Sequence, residues 1–254
     1  MHKKFSTLQS WDENRPSWYL VALCLFLLMC VGGCDAQETS QHIEVPDSQR
    51  RVDFVDSTIS QPQATNPLDL PRIVAFGDSL TAGLGVSPDQ SYPAQLQERL
   101  KQGGYNYEVV NAGVSGDTTA GGLRRLNWVL KSRPSIVILE LGANDAMRGQ
   151  PLEGMYSNLD KMITQFQEAG ALVVLAGMKI PPNYGLDYTN GFSSMFEQLA
   201  REHDITLIPF FLEGVAAKTE LNQADGIHPT AQGYQIVTEM VMKAITPLLE
   251  GGRS

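Results

Sequence analysis

The chain has 254 residues, 43% of them hydrophobic, with 19 Lys and Arg against 28 Asp and Glu and a formal net charge of −9. That length suits one α/β domain with additional segments, and the hydrophobic share excludes a wholly disordered chain. The acidic balance excludes a sequence-independent nucleic-acid binder, whose face must be basic to neutralise phosphates. All three cysteines (Cys24, Cys30 and Cys34) sit near the N-terminus, so no disulfide framework or cysteine-ligated metal holds the rest together.

Trp18–Gly33 is an uncharged run of sixteen residues preceded by Lys3, Lys4 and Arg15. A spanning helix needs about 20 apolar residues, so the run is short for an anchor and suited to an export signal. It ends in Val31-Gly32-Gly33-Cys34, which resembles a bacterial lipobox. Small residues before the cysteine let a peptidase grip extended backbone, and the thiol then accepts the lipid. Residues 1–33 are therefore expected to be a lipoprotein signal peptide and Cys34 the lipidated residue. An uncleaved N-terminal anchor is the alternative, and either places the domain outside the cytoplasmic membrane, on the periplasmic side in a Gram-negative bacterium. Asp35 resembles an inner-membrane retention signal. Loss of residues 1–33 removes three basic and two acidic residues, leaving 16 against 26, or −10.

Residues 34–69 are rich in Asp, Gln, Ser, Pro and Thr and poor in large apolar groups. Such a stretch cannot bury enough surface to offset its ordering entropy, so a flexible tether is expected there.

Residues 70–250 alternate between two periodicities. Short apolar runs at Arg72–Phe76, Tyr107–Asn111, Ser135–Leu141, Ala171–Ala176 and Ile205–Ile208 predict strands. Helix-period segments lie between and after them: Pro93–Gln102, Thr118–Lys131, Leu152–Ala169, Phe192–His203 and Thr230–Leu249. Strands apolar on both faces belong to a parallel sheet covered by helices on both sides, and the β-α order predicts a doubly wound, three-layer α/β/α domain. In such folds the chemistry gathers at the carboxyl ends of the strands.

Four strand-end loops carry candidate chemistry. After the first strand, Gly77-Asp78-Ser79-Leu80 offers a serine hydroxyl and a free backbone N–H. After the second, Asn111-Ala112-Gly113 places a glycine where a ligand can approach the backbone N–H. After the third, Gly142-Ala143-Asn144-Asp145 supplies a side-chain amide. Before the last helix, Asp225-Gly226-Ile227-His228-Pro229 sets an acid three residues from an imidazole, with Pro229 suited to the first helical position. Of the four histidines, His2 precedes the signal, His42 lies in the tether and His203 ends a predicted helix. Only His228 stands beside an acid in a strand-end loop. No Gly-x-Ser-x-Gly elbow, Walker loop or full dinucleotide glycine pattern is present.

Taken in order, these loops resemble the four blocks of the SGNH (GDSL-type) hydrolases, with Ser79, Gly113, Asn144 and His228 at the name-giving positions. The wider wording, including Gly113-Val114-Ser115-Gly116-Asp117-Thr118 and Pro209-Phe210-Phe211, is similar to the multifunctional thioesterase/lysophospholipase/arylesterase branch. The resemblance implies a five-stranded, mainly parallel, flavodoxin-like sheet and a serine esterase working through an acyl-enzyme. It implies Ser79, Asp225 and His228 as the catalytic set and Ser79, Gly113 and Asn144 as the oxyanion hole. It further implies Asp145 and Met147 as substrate-binding residues, and Ile180 and Pro181, at the end of the fourth strand, are expected to line an apolar acyl groove with Met147. No cofactor or metal is expected, and the chain is expected to be a monomer. An extracytoplasmic lipoprotein rarely meets acyl-CoA, so oxygen esters are the expected substrates. Carbohydrate O-deacetylation and a non-catalytic, membrane-tethered binding role are the alternatives.

Overall fold

The computed structural model describes residues 70–251, so the expected signal peptide, Cys34 and the tether lie outside the described residues. Five strands form the centre: β1 (Arg72–Gly77), β2 (Glu108–Gly113), β3 (Pro134–Glu140), β4 (Leu172–Ala176) and β5 (Thr206–Ile208). All neighbours pair in parallel, in the spatial order β2-β1-β3-β4-β5, which is the flavodoxin arrangement. The strand order reverses between β1 and β3, the point where ligands bind in sheets of this kind. The three central strands are apolar and almost wholly buried, while the edge strands β2 and β5 are only partly so. Burial on both faces is what turned these segments into continuous apolar runs.

The helices are α1 (Ser79–Ala82), α2 (Tyr92–Gln102), α3 (Thr119–Leu130), α4 (Ala143–Met147), α5 (Leu152–Glu168), α6 (Leu186–Glu202) and α7 (Ala231–Gly251). Helices α2 and α7 pack together in one layer, and α3, α5 and α6 form the other. Edge-to-face ring pairs tie the layers to the sheet. Phe76 of β1 meets Phe166 of α5 at 5.8 Å, and Tyr92 of α2 meets Phe211 at 5.3 Å.

Two helix starts differ from the sequence expectation. Helix α6 begins at Leu186, six residues before Phe192, because Gly185 (φ 94°) turns the chain and Thr189 Oγ1 donates back to the Gly185 and Leu186 carbonyls. The run Tyr188-Thr189-Asn190-Gly191 conceals this turn through poor helix propensity, and the side-chain-free Gly191 lies against the Leu152 side chain of α5. Helix α7 begins at Ala231, so Pro229 is not its first residue. Pro229 instead forms an isolated antiparallel bridge with Asn222, and Thr230 caps the helix by accepting Gly233 N–H on Oγ1.

Candidate active site

In the register of the sheet, Gly77 stands level with both Gly113 and Glu140. The chain therefore leaves β1, β2 and β3 at one height, and the first three loops converge. After Gly77, Asp78 caps α1 by accepting Leu80 N–H on Oδ1 at 3.0 Å. The single turn closes at Gly83, whose N–H returns to the Ser79 carbonyl. Ser79 is thus the first helical residue, and its own N–H has no acceptor among the described residues.

The fourth loop brings in the histidine. Gly226 adopts φ 72°, a left-handed conformation that suits glycine, and the turn folds Asp225 back onto its own loop. Asp225 Oδ1 accepts the N–H groups of Ile227 (2.9 Å) and His228 (3.0 Å), and Oδ2 lies 2.7 Å from His228 Nδ1. The two backbone donors, followed by the imidazole, hold the Asp225 carboxyl down to about 2. An ionised Asp225 can only accept, so Nδ1 carries the proton and Nε2 offers its lone pair. Ser79 Oγ lies 2.9 Å from that Nε2 and donates to it. This is a hydroxyl, an imidazole and a carboxylate in one hydrogen-bonded line, the arrangement that raises the nucleophilicity of a serine.

Of the expected oxyanion donors, Asn144 donates from Nδ2 to Asp78 Oδ2 at 2.8 Å, which fixes its amide beside Ser79. Gly113 N–H is engaged within its own loop by Asn111 Oδ1 at 2.9 Å, so receiving an oxyanion requires Asn111 to share or release it. The structural need for glycine at 113 is also a different one from ligand approach. A Cβ there falls 2.2 Å from the Ala82 backbone nitrogen, so the side-chain-free position lets α1 lie directly on the end of β2.

The line opens into a cleft of about 710 Å³, within the range of small-molecule sites. Its wall is mostly apolar, with Leu84, Met147, Met178, Ile180, Pro181 and Phe210 among the lining residues. Three of the four expected substrate-binding residues line it. Asp145 does not: it is only 5% exposed, and its carboxylate accepts Thr119 N–H at 2.8 Å and Thr119 Oγ1 at 2.7 Å. It anchors the start of α3 to α4, and so sets the loop that carries Asn144. His203 sits apart from the cleft, between Asp160 (2.8 Å) and Gln167 (3.3 Å). Among the described residues no three side chains of His, Cys, Asp or Glu converge as a metal site requires.

Two residues with no role in the sequence reading support this geometry. Arg125 donates to Asp117 (2.7 Å) and to the carbonyls of Ala112 (2.7 Å) and Gly77 (2.9 Å), and lies over the Phe76 ring. One guanidinium thereby ties together the ends of β1 and β2. Glu140 lies fully buried below α1. A lone charge in the apolar run Ile136–Leu141 was its sequence signal.

The profile of the GDSL-like lipase/acylhydrolase family matches residues 75–236. The esterase TesA of Pseudomonas aeruginosa is 43% identical over 178 residues, covering 70% of this chain and 89% of that protein. The thioesterase 1/protease 1/lysophospholipase L1 of Escherichia coli is 36% identical over 178 residues, 70% of this chain and 84% of that one. Among solved structures, the psychrotrophic esterase EstA of Pseudoalteromonas sp., inhibited by monoethylphosphonate, superposes with a TM-score of 0.68 at 33% identity. That match covers 70% of this chain and 98% of EstA.

Proposed function

Because the chain belongs to the GDSL-like lipase/acylhydrolase family, we propose that its ester hydrolysis proceeds through an acyl-enzyme on Ser79, with His228 as base and Asp225 as its orienting partner. Ser79 Oγ attacks the acyl carbonyl while its proton passes to His228 Nε2, and Asp225 stabilises the imidazolium that forms. The developing oxyanion is received by the Ser79 and Gly113 N–H groups and the Asn144 amide. Collapse of this tetrahedral species breaks the ester bond, and Nε2 returns the proton to the departing oxygen. Water then attacks the acyl-serine along the same proton path and releases the acid. The observation that carries this reading is the line Asp225–His228–Ser79, at 2.7 and 2.9 Å, opening into an apolar cleft.

The apolar cleft supports an acyl substrate whose chain lies along Met147, Ile180 and Pro181, and an extracytoplasmic location favours oxygen esters over acyl-CoA. Each buried methylene contributes about 0.8 kcal/mol, roughly fourfold in kcat/KM. Across p-nitrophenyl acetate, butyrate and octanoate, kcat/KM is therefore expected to rise, and Ile180→Trp to flatten the series by filling the groove. A profile confined to acetate, unmoved by Ile180→Trp, would favour the carbohydrate O-deacetylase alternative.

Residues 18–34 support a lipid-anchored form of the enzyme outside the cytoplasmic membrane, with Cys34 carrying the lipid. Cells fed an alkyne fatty acid are expected to label the full chain, and Cys34→Ser to abolish the label. Equal labelling of the serine variant contradicts the assignment.

A further inference from the structure

The most deeply buried acids among the described residues take no part in the acyl-transfer steps above. Glu140 ends β3 at 0% exposure, and Asp78 follows β1 at 1%. The pairing of Gly77 with Glu140 sets the two acids next to each other behind Ser79, close enough for the charge of Asp78 to bear on Glu140. Glu140 Oε2 also accepts Thr81 Oγ1 (2.8 Å) and Asp78 N–H (3.3 Å), and its Oε1 has no donor. Asp78 holds two functional elements at once. Oδ1 caps the turn that presents Ser79, and Oδ2 grips the Asn144 amide.

Among the described residues, no lysine or arginine bonds to either carboxyl. The groups that face them are the buried phenols of Tyr92 from α2 and Tyr234 from α7, together with Thr81 and, from the loop before α7, His228. Asp225 acts on this cluster through Tyr234 and through His228, which it holds at 2.7 Å. Desolvation pushes the Asp78 carboxyl up, against its bonds to Leu80 N–H and Asn144. Desolvation first, and then the charge of Asp78, pushes Glu140 up much further. Two neighbouring buried carboxylates without a bonded cation cannot both ionise in such a site.

We propose that Glu140 and Asp78 share one proton and work as a positioning unit, in which the single remaining charge on Asp78 holds the Asn144 amide and the Ser79 turn ready for the oxyanion. This deepens the reading of Asn144 as an oxyanion donor and rests on it. One charge is enough to orient the amide. A second would sit behind the developing oxyanion and oppose it, so loss of the shared proton at high pH removes activity.

The test compares kcat and KM of the full chain with p-nitrophenyl butyrate from about pH 6 to 10 with those of Glu140→Gln and Glu140→Ala. The glutamine keeps a neutral hydrogen-bonding group of the same length. It is expected to retain kcat within about tenfold and to lack the alkaline fall expected of the natural chain, whereas alanine is expected to lose about 100-fold in kcat at little-changed KM. Thermal unfolding provides a readout without substrate. A carboxyl whose folded pKa is raised contributes its stability below the ordinary carboxylate range, and that contribution is lost as pH rises through the folded value. Glu140→Gln lacks this loss, so its Tm relative to the natural chain is expected to increase with pH. An alkaline fall kept in Glu140→Gln, a glutamine variant as inactive as the alanine one, or a pH-independent Tm difference overturns the proposal. The unfolding result stands even where the serine assignment fails, which separates the two failures.

Discussion

Ser79→Ala is expected to lower kcat for p-nitrophenyl butyrate by about 10⁴-fold or more, with the fold and KM little changed. The magnitude follows from what the substitution removes. The covalent route vanishes, and what remains is water attack aided by His228 and the oxyanion donors. The fold survives because the Ser79 hydroxyl bonds only to His228 in the described structure and alanine is a good first-turn helix residue. The turn itself is held by Asp78 at its start and Gly83 at its end, and neither contact involves the serine side chain. A variant that is folded and loses less than about tenfold contradicts the nucleophile assignment.

Asn144→Ala is expected to cost about 10²–10³-fold in kcat, the usual loss for one side-chain oxyanion donor. KM should change little, because the amide is aimed at charge that exists only in the transition state. The same change leaves Asp78 Oδ2 without its 2.8 Å donor in a buried site, so a loss of about 1–3 kcal/mol in stability accompanies it. The two effects separate experimentally, in steady-state kinetics at a temperature where the variant is folded and in denaturant unfolding. A fall carried mainly by KM places Asn144 in substrate binding and removes it from the oxyanion hole.

The fold was legible because its central strands are buried on both faces. Ile73–Phe76, Ile136–Leu139 and Val173–Ala176 carry no polar side chain, so periodicity alone marks them. The four strand-end loops that converge on Ser79 were legible as a set, through residue types that suit strand ends, although each alone resembles an ordinary turn. What stayed hidden depends on contacts distant in sequence. Asp145 reads as a cleft residue until Thr119, 26 positions earlier, is seen to occupy its carboxylate. Gly113 reads as open backbone until α1 is laid on it, and its N–H reads as free until Asn111 takes it. Pro229 obeys a sound local preference for helix starts, but its pairing with Asn222 keeps it outside the helix. Glu140 is informative only once Gly77 has set it beside Asp78.

The central claim is that a single serine carries the acyl group, and covalent trapping tests it directly. The chain is incubated with a fluorophosphonate ester, digested, and analysed by mass spectrometry alongside Ser79→Ala and His228→Ala. One adduct per chain on the peptide containing Ser79, absent from Ser79→Ala and formed far more slowly in His228→Ala, is the expected result. An adduct on another residue, or full inactivation of Ser79→Ala hydrolysis by the same reagent, contradicts it.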